Sequence, residues 1–541
     1  MKHKFSLIIF ILILQIGAGY SQYTSGISTP DRSQPKANNE SDVAYRLASG
    51  ISPARLRDHM KVLASDSLEG RETGQKGIQL AADYISKNIR NLGLYAPNAQ
   101  QGYLHPVAFT YSKWLDTDMY ISGKRYRLMW DYLAMPENNE NKEIIKDKEV
   151  IFLGYGIDSP EYSDYKKADV KDKIIMINKG EPWNKDGNSC ISGTKDTSAW
   201  SRDLKMKLKV AKEKGVKLVL IIEDDIKKLV EDNRSKLLSA NLQLGNLKDK
   251  PLMTANHVFI SSTIAKDIIG KNEKKIIKAR KKLAKGKPSN VKLETDFIIN
   301  MAKEVKVLEG NNIIGYIEGK TKKDEYIIVS AHYDHLGKRG DEIFNGADDN
   351  ASGTSTLLEL ARACQGAVLE GNRPERSIVF VWFCGEEKGL LGSEYYSENP
   401  VFPLASTVAD INVDMIGRVD EKYKDNPDYI YVIGSDRLST DLHKINEAAN
   451  QKYTQLILDY TYNDEKDPNK FYYRSDHYNF AKKGIPSIFY FSGTHEDYHR
   501  TTDDIEKINF DKMAGIGRLI FHTLWELANR PERIVVDGVV K

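Results

Sequence analysis

The sequence Tyr-Ile-Ile-Val-Ser-Ala-His-Tyr-Asp-His, at positions 326–335, places polar residues directly after an apolar run typical of a buried strand. A stretch of small and acidic residues follows at 346–353 and leads into a helix predicted over 352–364. Further strands are predicted at 313–317, 377–384, 409–413 and 488–491. This alternation of strands and helices indicates an α/β fold with helices on the faces of a sheet.

Five polar motifs come at the ends of predicted strands or in the loops after them. In open α/β sheets, such positions meet at the carboxyl edge, where ligands bind. The motifs are His332-Tyr333-Asp334, Asp348-Asp349, Glu386-Glu387, Asp414 within an apolar run, and the segment 495–503. Together they supply histidines and carboxylates, a mixture of ligands that suits zinc.

The segment 495–503 contains a His-Glu-x-x-His pattern, which binds zinc when it lies on a helix. Ser492-Gly493 precede the pattern and no helical stripe surrounds it, so we predict a single ligand there, His499. Asp503 is then a candidate to hydrogen-bond the other nitrogen of His499, as Asp334 is for His332.

Glu386 and Glu387 are adjacent, and their side chains diverge after an apolar strand. One carboxylate can therefore bind a metal while the other faces a water molecule. This division of labour is typical of metal-assisted hydrolysis with a carboxylate as the general base.

The 541 residues include 79 Lys or Arg and 76 Asp or Glu, a formal net charge of +3, which predicts no nucleic-acid partner. Three cysteines are too few for a disulfide-dense scaffold or a Cys-rich zinc ribbon. Residues 1–21 combine a positive start, an apolar run and small residues. They predict a Sec signal peptide, and hence a periplasmic or extracellular protein with no stable membrane anchor.

The rest of the chain is predicted to divide into four parts. Residues 22–44 are polar and aperiodic, which predicts a flexible leader. Residues 45–147 begin the main domain and open with helices. Residues 148–261 change to short strands and turns, which indicates an inserted small α/β module, and residues 262–541 complete the main domain.

In its motifs and their order, the sequence resembles the co-catalytic di-zinc exopeptidases, which include bacterial leucyl aminopeptidases, aminopeptidase Y and glutamate carboxypeptidase II. The resemblance implies a three-layer fold, with a central mixed β-sheet flanked by helices, and two Zn²⁺ per chain. It assigns His332 and Asp414 to one zinc, Glu387 and His499 to the other, and Asp349 to both. It also implies a cis peptide bond after Asp349.

By the same resemblance, Glu386 is the general base for a water molecule activated by the two zinc ions, and Tyr498 stabilises the oxyanion. Residues 148–261 resemble a protease-associated domain. The substrates are then peptides cleaved at one end, and the sequence indicates no oligomeric state.

Arg474, Asp476 and His477 resemble a stretch near the substrate pocket of related proteins. An acidic group there could hold a substrate ammonium, and an arginine could hold a carboxylate. An aminopeptidase is favoured, and a carboxypeptidase of the same family remains open. A single-zinc glutaminyl cyclase and a metal-free, receptor-like binding protein also remain open.

Overall fold

The computed structural model describes residues 23–37, 40–233, 241–248 and 250–540. Its strands are β1 (Ile27–Ser28), β2 (Leu104–Asp116), β3 (Asp118–Ile121), β4 (Lys124–Arg127), β5 (Tyr132–Leu133), β6 (Lys142–Phe152), β7 (Ile174–Asn178), β8 (Leu218–Glu223), β9 (Asn241–Leu244), β10 (His257–Ser261), β11 (Val291–Ile317), β12 (Lys322–His332), β13 (Gly337–Arg339), β14 (Glu342–Phe344), β15 (Arg376–Phe383), β16 (Thr407–Val413), β17 (Tyr429–Ile433), β18 (Ile457–Asp459) and β19 (Ser487–Phe491).

The helices are α1 (Val43–Ser49), α2 (Pro53–Leu63), α3 (Lys76–Leu92), α4 (Ala199–Arg202), α5 (Leu204–Glu213), α6 (Ile226–Asp232), α7 (Ser262–Ile269), α8 (Glu273–Leu283), α9 (Gly353–Leu369), α10 (Leu391–Glu398), α11 (Thr440–Ala449), α12 (His477–Ala481) and α13 (Phe510–Asn529). Within the described ranges, none is both long and apolar enough to cross a membrane. The predicted signal peptide lies outside the described residues.

The main sheet has the strand order β1-β18-β17-β19-β16-β12-β15-β11-β2-β9. Its centre, β19-β16-β12-β15, is parallel, whereas β11, β2 and β9 pair antiparallel. The sheet is therefore mixed, and the carboxyl ends of its four central strands share one edge.

Alternation along β12 explains the two helical layers. Ile327, Val329 and Ala331 pack into the core formed with α1, α2, α3, α9 and α13, and Ile328 points to the opposite core. That second core includes Tyr396 of α10 and Phe480 of α12. Because the period of a strand is two, one apolar run covers both faces. The predicted α/β fold with a central mixed sheet between helices is confirmed.

A second sheet has the order β4-β3-β11-β6-β7-β8-β10-β5, with β6, β7, β8 and β10 parallel. Strand β11 is 27 residues long and belongs to both sheets, pairing with β6 near its start and with β15 at its end. The predicted module boundaries at 148 and 261 fall inside this sheet, because β3 to β5 precede the first and β11 follows the second. The long-range pairing of these strands leaves no local signal in the sequence.

The described part of the predicted flexible leader at 22–44 contacts the main sheet. Strand β1 pairs antiparallel with β18 at the edge of the main sheet. The backbone N–H of Thr24 donates to Asp436 at 2.5 Å, and Asn463 donates to the carbonyl of Thr24 at 3.0 Å. Polar, aperiodic sequence does not exclude order when a sheet edge offers unpaired backbone groups.

His522 on α13 makes the stability of this domain pH-dependent. Its ring stacks on Tyr453, with centroids 3.6 Å apart, and burial lowers its pKa to about 3. The unfolded chain binds this proton near pH 6.5, so between pH 6.5 and 3 it binds more protons than the folded chain, and stability falls as the pH drops.

We expect wild-type protein to lose about 2 kcal/mol more than His522→Phe between pH 7 and pH 5 in urea unfolding experiments. Phenylalanine retains the stacking without the titration. Equal losses in the two proteins would show that His522 does not carry this pH dependence.

Candidate metal centre

The four central strands bring the predicted motifs to one edge of the sheet. His332 is the last residue of β12, and Asp414 directly follows β16. Glu386 and Glu387 come shortly after β15, and His499 lies in the turns after β19. Because β15, β12, β16 and β19 are neighbours, residues far apart in sequence meet here.

The fifth candidate ligand, Asp349, lies on a buried loop between β14 and α9. The Asp349–Asn350 peptide bond is cis, as predicted. The Asp503 carboxylate accepts hydrogen bonds from the backbone N–H groups of Asp348, at 3.0 and 3.1 Å, and of Asp349, at 3.1 Å. The Asn350 side chain donates to the carbonyl of Val413. The loop is thus tied to the edge of the sheet, and Asp349 is aimed between the strand ends.

The two oxygens of Asp349 face different histidines. Oδ1 lies 3.3 Å from Nε2 of His332, and Oδ2 lies 3.1 Å from Nε2 of His499. Nε2 of His332 is also 3.2 Å from Oδ1 of Asp414, and Nε2 of His499 is 3.2 Å from Oε2 of Glu387. Ligand atoms 2.0–2.2 Å from a tetrahedral ion are about 3.3 Å apart. The side chains thus form two groups of ligand atoms that share Asp349.

The carboxylates and histidines of the centre shift one another's pKa values. Although burial opposes it, contact with His332 and His499 holds the pKa of Asp349 well below its usual value. Against burial, the carboxylates of Glu387 and Asp349 raise the pKa of His499 to about 11. Positive charge between these carboxylates is therefore stabilised, whether imidazolium groups or a cation carries it.

Glu386 lies next to the first group, close enough to His332 and Asp414 that these three side chains could hold a metal ion. Its Oε2 is 4.0 Å from Nε2 of His332, and its side chain is 11% exposed. Burial and the nearby carboxylates of Asp414 and Glu387 raise the pKa of Glu386 well above its usual value. A carboxyl group whose pKa is raised in this way is a candidate for general acid–base chemistry.

Comparison with known proteins agrees with this geometry. Residues 312–524, which contain all five candidate ligands, match peptidase family M28.

Curated relatives are similar in sequence over about two fifths of the chain. A probable leucine aminopeptidase of Trichophyton verrucosum is 33% identical over 224 residues, covering 40% of this chain and 57% of the relative. Aminopeptidase YwaD of Bacillus subtilis is 30% identical over 230 residues, covering 41% and 46%. The chain spans about half the length of the curated relatives it matches.

A solved structure, the aminopeptidase from Aneurinibacillus sp. strain AM-1, resembles the fold over 92% of this chain and 98% of its own, with a TM-score of 0.54 and 18% identity. At this identity the likeness concerns the fold. The shared fold therefore extends beyond the M28 segment and includes most of the chain.

Asp334 lies next to His332, as predicted, but its carboxylate does not make the predicted contact with the histidine ring. The backbone carbonyl of Asp334, rather than its carboxylate, is close to Nδ1 of His332, at 3.2 Å against 3.7 Å. The carboxylate accepts hydrogen bonds from the hydroxyl of Thr73 at 3.0 Å and from the backbone N–H of Glu386 at 3.1 Å. Asp334 thus orients the Glu386 loop, and its backbone orients His332.

The described contacts of Asp503 do not support its predicted role behind His499. Its carboxylate binds the backbone amides of the Asp349 loop instead. The sequence indicated the correct region but not the partner, because loop-to-loop contacts have no periodicity. His495, the other histidine of the His-Glu-x-x-His pattern, lies 3.4 Å from Oδ2 of Asp348 and thus outside both ligand groups.

Tyr498 and Arg474 lie together at the mouth of the centre. The ring of Tyr498 stacks on His499 at 3.9 Å between centroids, and the exposed Arg474 donates to its hydroxyl at 3.4 Å. Burial and the carboxylates of Asp349 and Glu387 raise the pKa of Tyr498 well above its usual value. The hydroxyl therefore stays protonated and can donate a hydrogen bond.

Asp476 and His477, which the resemblance places near the substrate pocket, lie in the interior of the structure. Both are fully buried. Burial raises the pKa of Asp476 to about 7, and burial together with Arg437 lowers the pKa of His477 to about 3. They start the short helix α12 and pack beneath the centre, so neither is available to a substrate terminus.

Three residues around the centre were given no role from the sequence. The hydroxyl of Ser475 donates to Oδ2 of Asp414 at 2.7 Å. The buried Arg71 donates to the carbonyl of Gly346, at the start of the Asp349 loop, at 3.0 Å. His335 lies beside Glu387, with Nδ1 2.7 Å from Oε1. Only Ser475 and His335 fell within motifs that the sequence singled out.

We expect Zn²⁺ to stabilise the metal-free protein by about 2.7 kcal/mol for each occupied site when free zinc is 100 times the Kd of that site, because it binds only the folded state. Asp349→Ala should lose most of this effect, since Asp349 contributes to both ligand groups. Thermal melting with and without Zn²⁺ measures the difference. Asp348→Ala is the matched control, because its carboxylate faces His495; an undiminished zinc effect in Asp349→Ala would contradict the shared site.

Proposed function

We propose that the chain is a zinc aminopeptidase that uses two zinc ions to hydrolyse the terminal bond of peptides. The observation that carries the proposal is the position of the Asp349 carboxylate, with one oxygen at 3.3 Å from His332 and the other at 3.1 Å from His499. A carboxylate held between two such groups is the arrangement expected for a bridging ligand. The match of residues 312–524 to peptidase family M28 supports it.

The residues present fit zinc ions in number and type. His332 and Asp414 would hold one ion, Glu387 and His499 the other, and Asp349 both, all through nitrogen or oxygen atoms that zinc prefers. When bound, the ions would lower the pKa of a water molecule and polarise the scissile carbonyl.

The residues of the chain would then handle the proton and the substrate. Glu386 takes the proton of the attacking water at its carboxylate, holds it, and delivers it to the leaving amine. The hydrogen bond from its backbone N–H to Asp334 keeps it directed at the site. Tyr498 donates its hydroxyl proton in a hydrogen bond to the carbonyl oxygen as negative charge develops there.

Two observations bear on which end of the peptide is cleaved, and they favour opposite ends. The names of the curated relatives favour the amino end, since they include a probable leucine aminopeptidase and an aminopeptidase. Arg474 supports the alternative, a carboxypeptidase, because its exposed guanidinium lies 3.4 Å from the Tyr498 hydroxyl and could hold a carboxylate.

The sequence is also the basis for proposals on the location of the protein and on its inserted module. We propose export through the signal peptide at residues 1–21, and a periplasmic or extracellular location. The inserted module around residues 148–261 is proposed to be a protease-associated domain that shapes access to the cleft. These assignments stand independently of the chemistry at Asp349.

Mass spectrometry of an unblocked peptide pool tests the activity, with Glu386→Gln as the control. We expect stepwise shortening from the amino end, and a rate lower by about 10²–10⁴-fold in the variant, because glutamine cannot carry the proton. The variant should retain its metal, since all five proposed ligands are unchanged.

Shortening from the carboxyl end would instead support the carboxypeptidase and make Arg474→Ala the next variant. Near-wild-type turnover by Glu386→Gln would contradict the role of Glu386 as the general base.

A further inference from the structure

His335 is a fully buried histidine beside the candidate metal centre. It comes one residue after Asp334, in the loop that leaves β12. Its Nδ1 lies 2.7 Å from Oε1 of Glu387 and 3.8 Å from Oδ2 of Asp349, and no hydrogen-bond partner in the described chain reaches its Nε2. The ring therefore has one strong polar contact, and that contact is with a candidate zinc ligand.

The two oxygens of Glu387 have different partners. Oε2 faces Nε2 of His499 at 3.2 Å, which is a separation expected of two ligand atoms on one zinc ion. Oε1 faces His335 at 2.7 Å, which is a hydrogen-bond distance and shorter than the roughly 3.3 Å between ligands on a tetrahedral ion. The 2.7 Å contact thus favours a hydrogen bond between His335 and Oε1. The alternative, in which His335 itself joins Asp349 and Glu387 as a metal ligand, is an outcome of the test below.

We propose that His335 is a positioning residue that fixes Glu387 as a ligand of the zinc ion shared with His499. Its Nδ1–H donates to Oε1 and leaves Oε2 directed at the ion. Since an ionised carboxylate oxygen can only accept, Nδ1 is the donor in this contact. The inference rests on the proposed two-zinc function and adds a residue that sets the affinity of one of its two sites.

The surroundings of His335 lock the ring in this orientation. The backbone N–H of His335 donates to the carbonyl of Arg71 at 3.2 Å. Gly346 has a φ of +56°, and a Cβ there would lie 2.4 Å from Cδ2 of His335. Arg71 in turn donates to the carbonyl of Gly346 at 3.0 Å. A side chain at position 346 would displace the ring, so the close approach of this glycine permits the contact with Glu387.

Competition with a zinc chelator tests the proposal on wild type, His335→Ala and His335→Asn. We expect His335→Ala to weaken the affinity for the zinc ion held by Glu387 and His499 by about 10–100-fold. The affinity for the ion held by His332 and Asp414 should be unchanged. His335→Asn should recover most of the loss, since its amide can donate from the position of Nδ1. His522→Ala is the matched control, a buried histidine of the same domain away from the centre.

Unchanged affinity for both zinc ions in His335→Ala would overturn the proposal. The visible spectrum of Co²⁺-loaded protein distinguishes a positioning residue from a ligand: an unchanged spectrum in His335→Ala supports positioning, and one showing a lost ligand overturns it. If His335→Ala does not fold, His335→Asn and His335→Gln decide, because glutamine places its amide beyond Nδ1. Wild-type protein that binds fewer than two zinc ions would refute the proposed function itself.

Discussion

The structure depends on burying several carboxylates at one place. Asp349, Glu387 and Asp414 converge at the carboxyl edge of the sheet, with Glu386 beside them. Buried like charges repel strongly unless positive charge lies between them. The two imidazoles that contact Asp349 define where that positive charge belongs, and the rest of the domain holds the carboxylates there.

The fold meets this requirement by placing ligands on rigid elements. His332 and Asp414 are attached to neighbouring parallel strands, whose register is fixed by pairing along their length. Asp349 lies on a loop, and the loop is restrained by hydrogen bonds from its amides to Asp503. A site built in this way changes little when substrate arrives, which is what preorganised electrostatics need.

The central strands and the polar motifs that follow them could be predicted from sequence, because apolar runs that end in acids or histidines are local signals. The choice of Asp349 and Glu387 within their motifs came from the resemblance to di-zinc exopeptidases. The β11 strand of 27 residues could not be predicted, since its partners β6 and β2 lie far away in the chain. The same reason applies to Asp503 and to the leader, whose contacts are long-range. The burial of Asp476 could not be predicted either, because a charged residue usually indicates exposure, whereas this one is fully buried.

The central claim is that one carboxylate, that of Asp349, bridges two zinc ions. Anomalous diffraction at the zinc edge from crystals of the zinc-loaded protein tests it most directly. The account predicts two peaks, one between Asp349 and His332 and the other between Asp349 and His499. A single peak, or peaks that Asp349 does not touch, would contradict it.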